Sequence, residues 1–214
     1  MRASLIAAAV VLAALCATTA EATLRPVRPA DSRLLARPAT YEEQIAEQVA
    51  ARLTHLHPQV RCGPLGIPSG YGILGITLFL GTRPAGYFLM LPQICTELAA
   101  FHAAPASFDP RSCTDGACLN KAADTAMALA TVAHESYHLL GYRNEGQVEC
   151  YGMQSIWFVA SKLGASLAES QAIGSFYETR IYPQRRTQTP AYWSAECRDA
   201  GKLDLRPSLA RWPS

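Results

Sequence analysis

Two histidines that stand four residues apart in an almost wholly apolar stretch constrain this chain more than any other feature. Residues 122–140 carry small and apolar side chains at spacings of three and four, which predicts a long helix that Asn120 caps and Gly141 ends. His134 and His138 then lie on one face of that helix. Because the residues just before His134 are almost all apolar, we expect this part of the helix to be buried, where unpaired polar groups are costly.

The same spacing suits a metal ion. Two imidazoles one helical turn apart can occupy two corners of a tetrahedral zinc site. Glu135, next to His134, is placed to take a proton from zinc-bound water, whose pKa the metal lowers, and to deliver it to a leaving group. The competing interpretation is a chance His-Glu-x-x-His sequence on an exposed helix, with solvated and inert side chains. The apolar surroundings favour the zinc site.

The segment after the two histidines has to supply a third ligand. If residues 141–144 form a tight turn, the next helix lies antiparallel to the first. Because both helices have the same rise per residue, two residues that lie side by side then have numbers that sum to about 285. The midpoint of the two histidines then faces Glu149, which is therefore the preferred third ligand. Glu145 is the alternative; as a non-ligand it would orient an imidazole or complement the helix N-terminus.

The pattern His-Glu-x-x-His at residues 134–138, followed by a glutamate on the next helix, resembles the zincin metallopeptidases and is nearest to their gluzincin branch. The spacing to Glu149 is similar to the aspzincin pattern, with Glu in place of Asp. Asn144-Glu145 resembles the Asn-Glu segment of thermolysin-like enzymes, whose acidic residue binds zinc, and this supports Glu145. The metzincin third ligand would fall on Asn144, a poor zinc ligand. Residues 133–154 also resemble small exported actinobacterial proteins.

The resemblance implies a peptidase in which zinc polarises a peptide carbonyl while Glu135 activates water. The tetrahedral oxyanion then needs a further hydrogen-bond donor, commonly a Tyr or a His. The sequence offers four candidates and does not choose between them: Tyr177, Tyr182, Tyr192 and His102. The basic pair Arg185-Arg186 is expected to be solvated surface.

Elsewhere the pattern predicts a mainly α protein of the α+β class, with a helical zincin-like core and a small antiparallel hairpin. Apolar residues at four-residue spacing indicate a helix from Tyr41 to about Leu56. Residues 73–80 and 87–91 are predicted to form the two strands, one of which could pair with an extended substrate. Further helices are expected over 93–103, 145–163 and 166–180, with an irregular chain from Pro183 onward.

Residues 1–22 have the composition of a secretory signal peptide: a basic n-region, an uncharged apolar run and small residues near its end. The apolar run is short for a membrane span, so export is favoured over a retained anchor. Residues 23–40 are rich in Pro and Arg and are expected to be flexible. Residues 41–200 are expected to form one catalytic domain, and 201–214 a C-terminal tail.

Six cysteines remain after that segment, an even number that indicates up to three disulfides in an exported protein. Six cysteines allow about 15 pairings. We expect Cys62–Cys95, Cys113–Cys118 and Cys150–Cys197, since the second closes locally and the other two would tie flanking segments to the central helices. A zinc site ligated by cysteines is the competing interpretation, and the lack of any Cys-x-x-Cys pair in the sequence disfavours it.

The sequence as a whole predicts a secreted zinc metallopeptidase that acts on a peptide or protein substrate. A net charge of +2 with scattered basic residues offers no surface for nucleic acid, and no stable membrane partner is expected. The oligomeric state is not predicted. Two other functions stay open: a disulfide-stabilised secreted binding protein whose zinc is structural or catalytically silent, and a zinc hydrolase of a non-peptide amide or ester.

Overall fold

The computed structural model describes residues 29–65, 73–208 and 212. This part of the chain is mainly helical with a small mixed sheet, which confirms the predicted α+β class. The helices are α1 Pro29–Ala36, α2 Tyr41–Thr54, α3 Pro92–Ala103, α4 Gly116–Leu139, α5 Glu145–Lys162, α6 Leu167–Phe176 and α7 Tyr182–Gln188. A π-helical turn, Tyr177–Ile181, joins α6 to α7, and the strands are β1 Gln59–Cys62, β2 Gly75–Leu80 and β3 Arg83–Met90.

The predicted hairpin is present. Strands β2 and β3 pair antiparallel, with Gly75 opposite Met90 and a bulge after Thr77. The turn is tighter than predicted, because Gly81 adopts φ 63° and β3 already begins at Arg83. Strand β1 was not predicted; it pairs parallel to β3 and gives the order β1-β3-β2. Its four residues are too few to show a periodic pattern.

Strand β3 is central and both of its faces are buried. Phe88 and Met90 contact the main helical core, whereas Tyr87 and Leu89 belong to a smaller cluster on the other face. Among the described strands, β2 pairs with β3 alone, so it is an edge strand. The side chain of Thr77 points from β2 onto α4. The sheet edge therefore runs along the helix that carries the two histidines.

Helix α4 is the predicted long helix, with a different start. Asp115 caps it rather than Asn120, and its carboxylate accepts a hydrogen bond of 2.8 Å from the backbone N–H of Cys118. Gly141 follows the helix with φ 94°, as expected for a residue that ends one. Every residue from Ala128 to Leu139 is buried. The histidine pair therefore lies in the core of the protein.

Helix α5 begins where predicted. The side chain of Asn144 accepts a hydrogen bond of 2.9 Å from the backbone N–H of Gln147 and caps the helix. The antiparallel helices α4 and α5 pack closely at Gly152, where an added Cβ would lie 3.2 Å from the backbone nitrogen of His134. The numbers of the two residues in contact, 134 and 152, sum to 286, close to the sum of about 285 that a tight turn predicts.

The three predicted disulfides are confirmed. Cys62–Cys95 joins β1 to α3, Cys113–Cys118 closes a short loop at the start of α4, and Cys150–Cys197 joins α5 to the C-terminal segment. Such a set is typical of a protein that matures in an oxidising compartment. The predicted signal peptide, residues 1–22, lies outside the described residues. None of the described helices is both long enough and apolar enough for a membrane span.

Part of the segment 23–40, which was expected to be flexible, has regular structure. Residues 29–36 form α1, and Leu35 packs against the cluster on the outer face of the sheet. The proline content of this segment does not prevent a helix. Pro29 stands at the start of α1, where a helix needs no hydrogen bond from the residue's nitrogen.

A proline also stands in the first turn of a helix near the C-terminal end. The chain from Pro183 onward was expected to be irregular, but α7 continues to Gln188 with Pro183 in its first turn. Further along, Gln154 of α5 hydrogen-bonds the backbone of Leu203 at 2.7 Å and of Leu205 at 2.8 Å. The described part of the predicted tail therefore packs against α5.

Glu43 ties the N-terminal segment to the core. It completes a capping box with Thr40 at the start of α2, and its buried carboxylate also accepts hydrogen bonds from Arg37 at 2.7 Å and from the backbone N–H of Cys62 at 2.7 Å. Burial alone would raise the pKa of Glu43. The guanidinium and the two backbone donors outweigh burial and hold the pKa below its usual value of 4.5.

Glu43 is therefore expected to make stability depend on pH. Because its folded pKa is lowered, its stabilisation is complete above about pH 4.5 and is lost as the pH falls through the lowered value. Glu43→Gln should reduce the free energy of unfolding near neutral pH by about 1–3 kcal/mol. Chemical denaturation of both proteins measures this. The difference between them should shrink in acid, and a difference that does not change with pH would contradict the assignment.

Candidate metal centre

His134 and His138 project from α4 toward the start of α5, and their Nε2 atoms lie 3.1 Å apart. The Oε2 atom of Glu145, in the first turn of α5, lies 3.0 Å from Nε2 of His134 and 3.4 Å from Nε2 of His138. Zinc bonded at about 2.0–2.1 Å in tetrahedral geometry holds its ligand atoms about 3.3 Å apart. The three atoms therefore have the spacing of three corners of a tetrahedral site.

Hydrogen bonds on the inner side of each ring fix which nitrogens carry hydrogen. Nδ1 of His138 lies 2.8 Å from the backbone carbonyl of Tyr142, and Nδ1 of His134 lies 2.9 Å from Oε2 of Glu149. Because a carbonyl and a carboxylate only accept, both Nδ1 atoms donate. In neutral rings both Nε2 atoms are then acceptors, and they converge with an oxygen of Glu145. Three converging acceptors require a cation or a proton between them.

The geometry places Glu145, not Glu149, with the two outer nitrogens. The group that could hold a metal ion is His134, His138 and Glu145, whose ligand atoms all lie within 4.8 Å of one another. The preference for Glu149 as third ligand does not match this arrangement, and the alternative does. The prediction placed Glu149 opposite the midpoint of the two histidines. Glu149 does contact His134, but the nitrogen it meets is Nδ1, near the helix backbone. Nε2 projects further out, to where Glu145 reaches both rings.

Glu149 is at the centre of a buried network behind His134. Its Oε1 atom accepts hydrogen bonds from the hydroxyl of Tyr177 and, at 3.1 Å, from Nε of Arg185. Nη2 of Arg185 also donates to the Tyr177 hydroxyl at 3.2 Å. The expectation that Arg185 is solvated is therefore wrong, since its side chain is 19% exposed and ion-paired. This network holds the carboxylate that orients His134.

The π-helical turn explains why Tyr177 and Arg185 reach the same carboxylate. In a regular α-helix, two residues eight positions apart point about 80° away from each other around the axis. The wider turn at Tyr177–Ile181, with its longer hydrogen-bonded loop, offsets this angle. Both side chains then lie on one face and contact Glu149.

Glu135 lies on the other side of His134, between α4 and β2. Its side chain is buried, and Oε2 accepts a hydrogen bond of 2.7 Å from the hydroxyl of Thr77. An added Cβ on Gly75 would lie 2.8 Å from Oε1, so a larger residue at this position would displace the carboxylate. Burial raises the pKa of Glu135, and the nearby imidazoles and the Thr77 hydroxyl offset this only in part. A raised pKa suits a group that exchanges protons near neutral pH.

A small cleft of about 40 Å³ lies between β2, α4 and the segment that follows α7. Its lining is polar around His134 and apolar on the side of β2: Ile73, Leu74, Gly75, Ala130, Thr131, His134, Glu135, Glu149, Tyr177, Arg185 and Tyr192. The cleft thus contains the predicted base, Glu135, two of the predicted ligands, His134 and Glu149, and the start of the edge strand.

The four candidate oxyanion donors differ in position. The hydroxyl of Tyr177 donates to Glu149, and the Tyr182 hydroxyl hydrogen-bonds the backbone of Ser194. His102 lies on α3, where Nδ1 is 3.0 Å from the carbonyl oxygen of Leu163. Tyr192 lines the cleft, and its ring stacks on that of His134 with 5.6 Å between centroids.

A proton can occupy the site in place of a metal ion. Burial lowers the pKa of His134, but hydrogen bonds to Glu145 and Glu149 outweigh it and raise the pKa to about 10. Burial likewise raises the pKa of Glu145, but His134 and His138 bring it down to about 2. An imidazolium between two carboxylates therefore satisfies the three acceptors when no cation is bound. A metal ion has to displace that proton.

Zinc binding is accordingly expected to release at least one proton per ion near neutral pH, because His134 is protonated below a pKa of about 10. The apparent affinity for zinc should rise about tenfold per pH unit between pH 6 and 8, because the fraction of His134 that is neutral rises about tenfold per unit in this range. Calorimetric titration with zinc in buffers of different ionisation enthalpy counts the protons. Binding without net proton release would show that zinc does not enter between these side chains.

Comparison of the chain with known protein families, with curated proteins and with solved structures finds no match.

Proposed function

We propose that the protein is a secreted zinc metallopeptidase in which His134, His138 and Glu145 hold the metal and Glu135 is the general base. The observation that carries the proposal is the convergence of two Nε2 atoms and one carboxylate oxygen at 3.0–3.4 Å beside a buried carboxylate. A proton satisfies these atoms electrostatically, but it does not account for the buried Glu135 beside them or for the small cleft that both His134 and Glu135 line.

The donor set supports zinc in a catalytic rather than a structural site. Two imidazoles and one carboxylate are a ligand set of catalytic zinc, which leaves a fourth position for water, whereas structural sites are closed by four protein ligands and rich in cysteine. The six cysteines that follow the signal segment are all paired in disulfides. This is why we favour a catalytic centre over a binding protein with structural zinc.

In this proposal, some residues orient the metal ligands and others transfer the proton. Zinc, when bound, would lower the pKa of a water molecule and polarise the substrate carbonyl. Glu149 and the carbonyl of Tyr142 orient the two ligand rings through their Nδ1 atoms. Glu135 accepts a proton from the attacking water and passes it to the leaving amine, while Thr77 holds its carboxylate in place.

The edge strand supports a peptide as the substrate. Residues 73–75 line the cleft where β2 passes Glu135, and among the described strands β2 is paired on one side only. An extended peptide could add to this edge by backbone hydrogen bonds and bring a peptide carbonyl over the site. A non-peptide amide or ester would not use the edge strand.

Export is supported by the three disulfides together with the signal-like composition of residues 1–22.

Glu135→Gln is expected to keep the shape of the site and remove the base. Turnover of a peptide library by the zinc-loaded protein should fall by about 10²–10⁴-fold, with zinc content unchanged. Mass spectrometry of the products measures the rate, and Glu97→Gln on α3, outside the cleft, is a matched control. Undiminished turnover in Glu135→Gln would contradict the mechanism. A zinc-loaded wild type that cleaves nothing in the library would favour the binding protein.

The ligand assignment can be tested by two matched substitutions on α5. Glu145→Gln removes a ligand and should weaken zinc binding by more than about 100-fold, whereas Glu149→Gln removes the orienting charge and should weaken it by about 10–100-fold. Competition with a chromophoric chelator gives both affinities. If Glu149→Gln has the larger effect, Glu149 is the ligand and the assignment is reversed.

A further inference from the structure

Tyr192 forms one wall of the cleft. Its ring stacks on the imidazole of His134, with 5.6 Å between centroids and 29° between the planes. The guanidinium of Arg185 lies over the same ring at 5.9 Å. The aromatic ring therefore contacts both a proposed zinc ligand and the cation that neutralises Glu149. It faces the same cleft as Glu135.

The hydroxyl of Tyr192 has no structural task in the fold. It makes no hydrogen bond to any residue that the structure describes, whereas the hydroxyls of the two preceding tyrosines are bonded, that of Tyr177 to Glu149 and that of Tyr182 to Ser194. A tyrosine hydroxyl in a protein interior usually has a partner. An unpaired hydroxyl in a cleft beside a candidate metal centre is free to donate to an oxygen of a bound molecule.

The segment that carries Tyr192 is fixed to the helix that carries Glu145. Residues 190–192 form a short helical turn, and the carbonyl oxygen of Trp193 would lie 2.9 Å from a Cβ added to Gly146. Five residues after Tyr192, Cys197 is bonded to Cys150 of α5. One covalent bond and one close backbone contact thus set the distance between this tyrosine and the metal ligands. A group that stabilises a transition state has to be held in this way before reaction.

We propose that the Tyr192 hydroxyl donates the hydrogen bond that stabilises the tetrahedral oxyanion during hydrolysis; this rests on the proposed peptidase function. Attack by water forms a C–O bond, the carbonyl oxygen becomes negative, and the water's proton goes to Glu135. Tyr192 donates to that oxygen and keeps its hydrogen throughout. The C–N bond then breaks, the carbonyl reforms, and Glu135 delivers the proton to the leaving amine.

Tyr192→Phe tests the proposal because it removes an atom that the fold does not use. We expect kcat on the peptide library to fall by about 10²–10³-fold. KM, zinc affinity and resistance to denaturant should be unchanged. Tyr41→Phe, at an exposed tyrosine on α2, is the matched control and should behave as wild type. A loss of zinc affinity or stability in Tyr192→Phe that matches the loss of turnover would show a structural role instead.

A second measurement does not need turnover. Inorganic phosphate is a tetrahedral anion, and its binding to the cobalt-loaded protein can be followed in the visible absorption spectrum. The dissociation constant should rise by at least about tenfold in Tyr192→Phe, since a hydrogen bond to a charged oxygen is lost. An equal dissociation constant in the two proteins would overturn the proposal.

The two variants separate the failure of this inference from the failure of the proposed function. If Glu135→Gln abolishes turnover while Tyr192→Phe retains it, the peptidase stands and the oxyanion donor is another group. If the zinc-loaded wild type cleaves nothing, the peptidase proposal fails and the donor role with it. In that case the phosphate titration shows only whether the tyrosine contributes to an anion site.

Discussion

The close approach of α4 and α5 at Gly152 is the constraint on which the site depends. Without a side chain at this position, the backbone of α5 comes to within contact of His134. The first turns of α5 then lie beside the imidazole, with Glu149 at its inner nitrogen and Glu145 at its outer one. A larger residue would separate the helices, and both carboxylates would move away from the ring together.

The features predicted correctly from the sequence are those that local pattern determines. The buried helix of the two histidines follows from apolar spacing, and the start of α5 follows from one capping asparagine, Asn144. The disulfides followed from the need to fasten flanking segments to central helices. In each case a few neighbouring residues, or a simple chain-geometry rule, contain the necessary information.

What the sequence did not predict depends on side-chain reach and on irregular backbone. The residue numbers give the positions of Glu149 and Glu145 along the helix axis, but not which nitrogen of the His134 ring each carboxylate contacts. Arg185 could not be placed, because its direction depends on a π-helical turn that no sequence pattern indicates. Strand β1 is recognised by its pairing with β3, whose residues come much later in the chain. These outcomes are decided by tertiary packing, which a single sequence does not encode locally.

The bond between Cys150 and Cys197 has a consequence for how the two parts of the site respond to reduction. The helices that carry the histidines and the glutamates, α4 and α5, are neighbours in the chain and pack against each other at Gly152. The segment that carries Tyr192 is held to α5 by the disulfide. A reducing solution would therefore loosen one wall of the cleft and leave the group of His134, His138 and Glu145 in place.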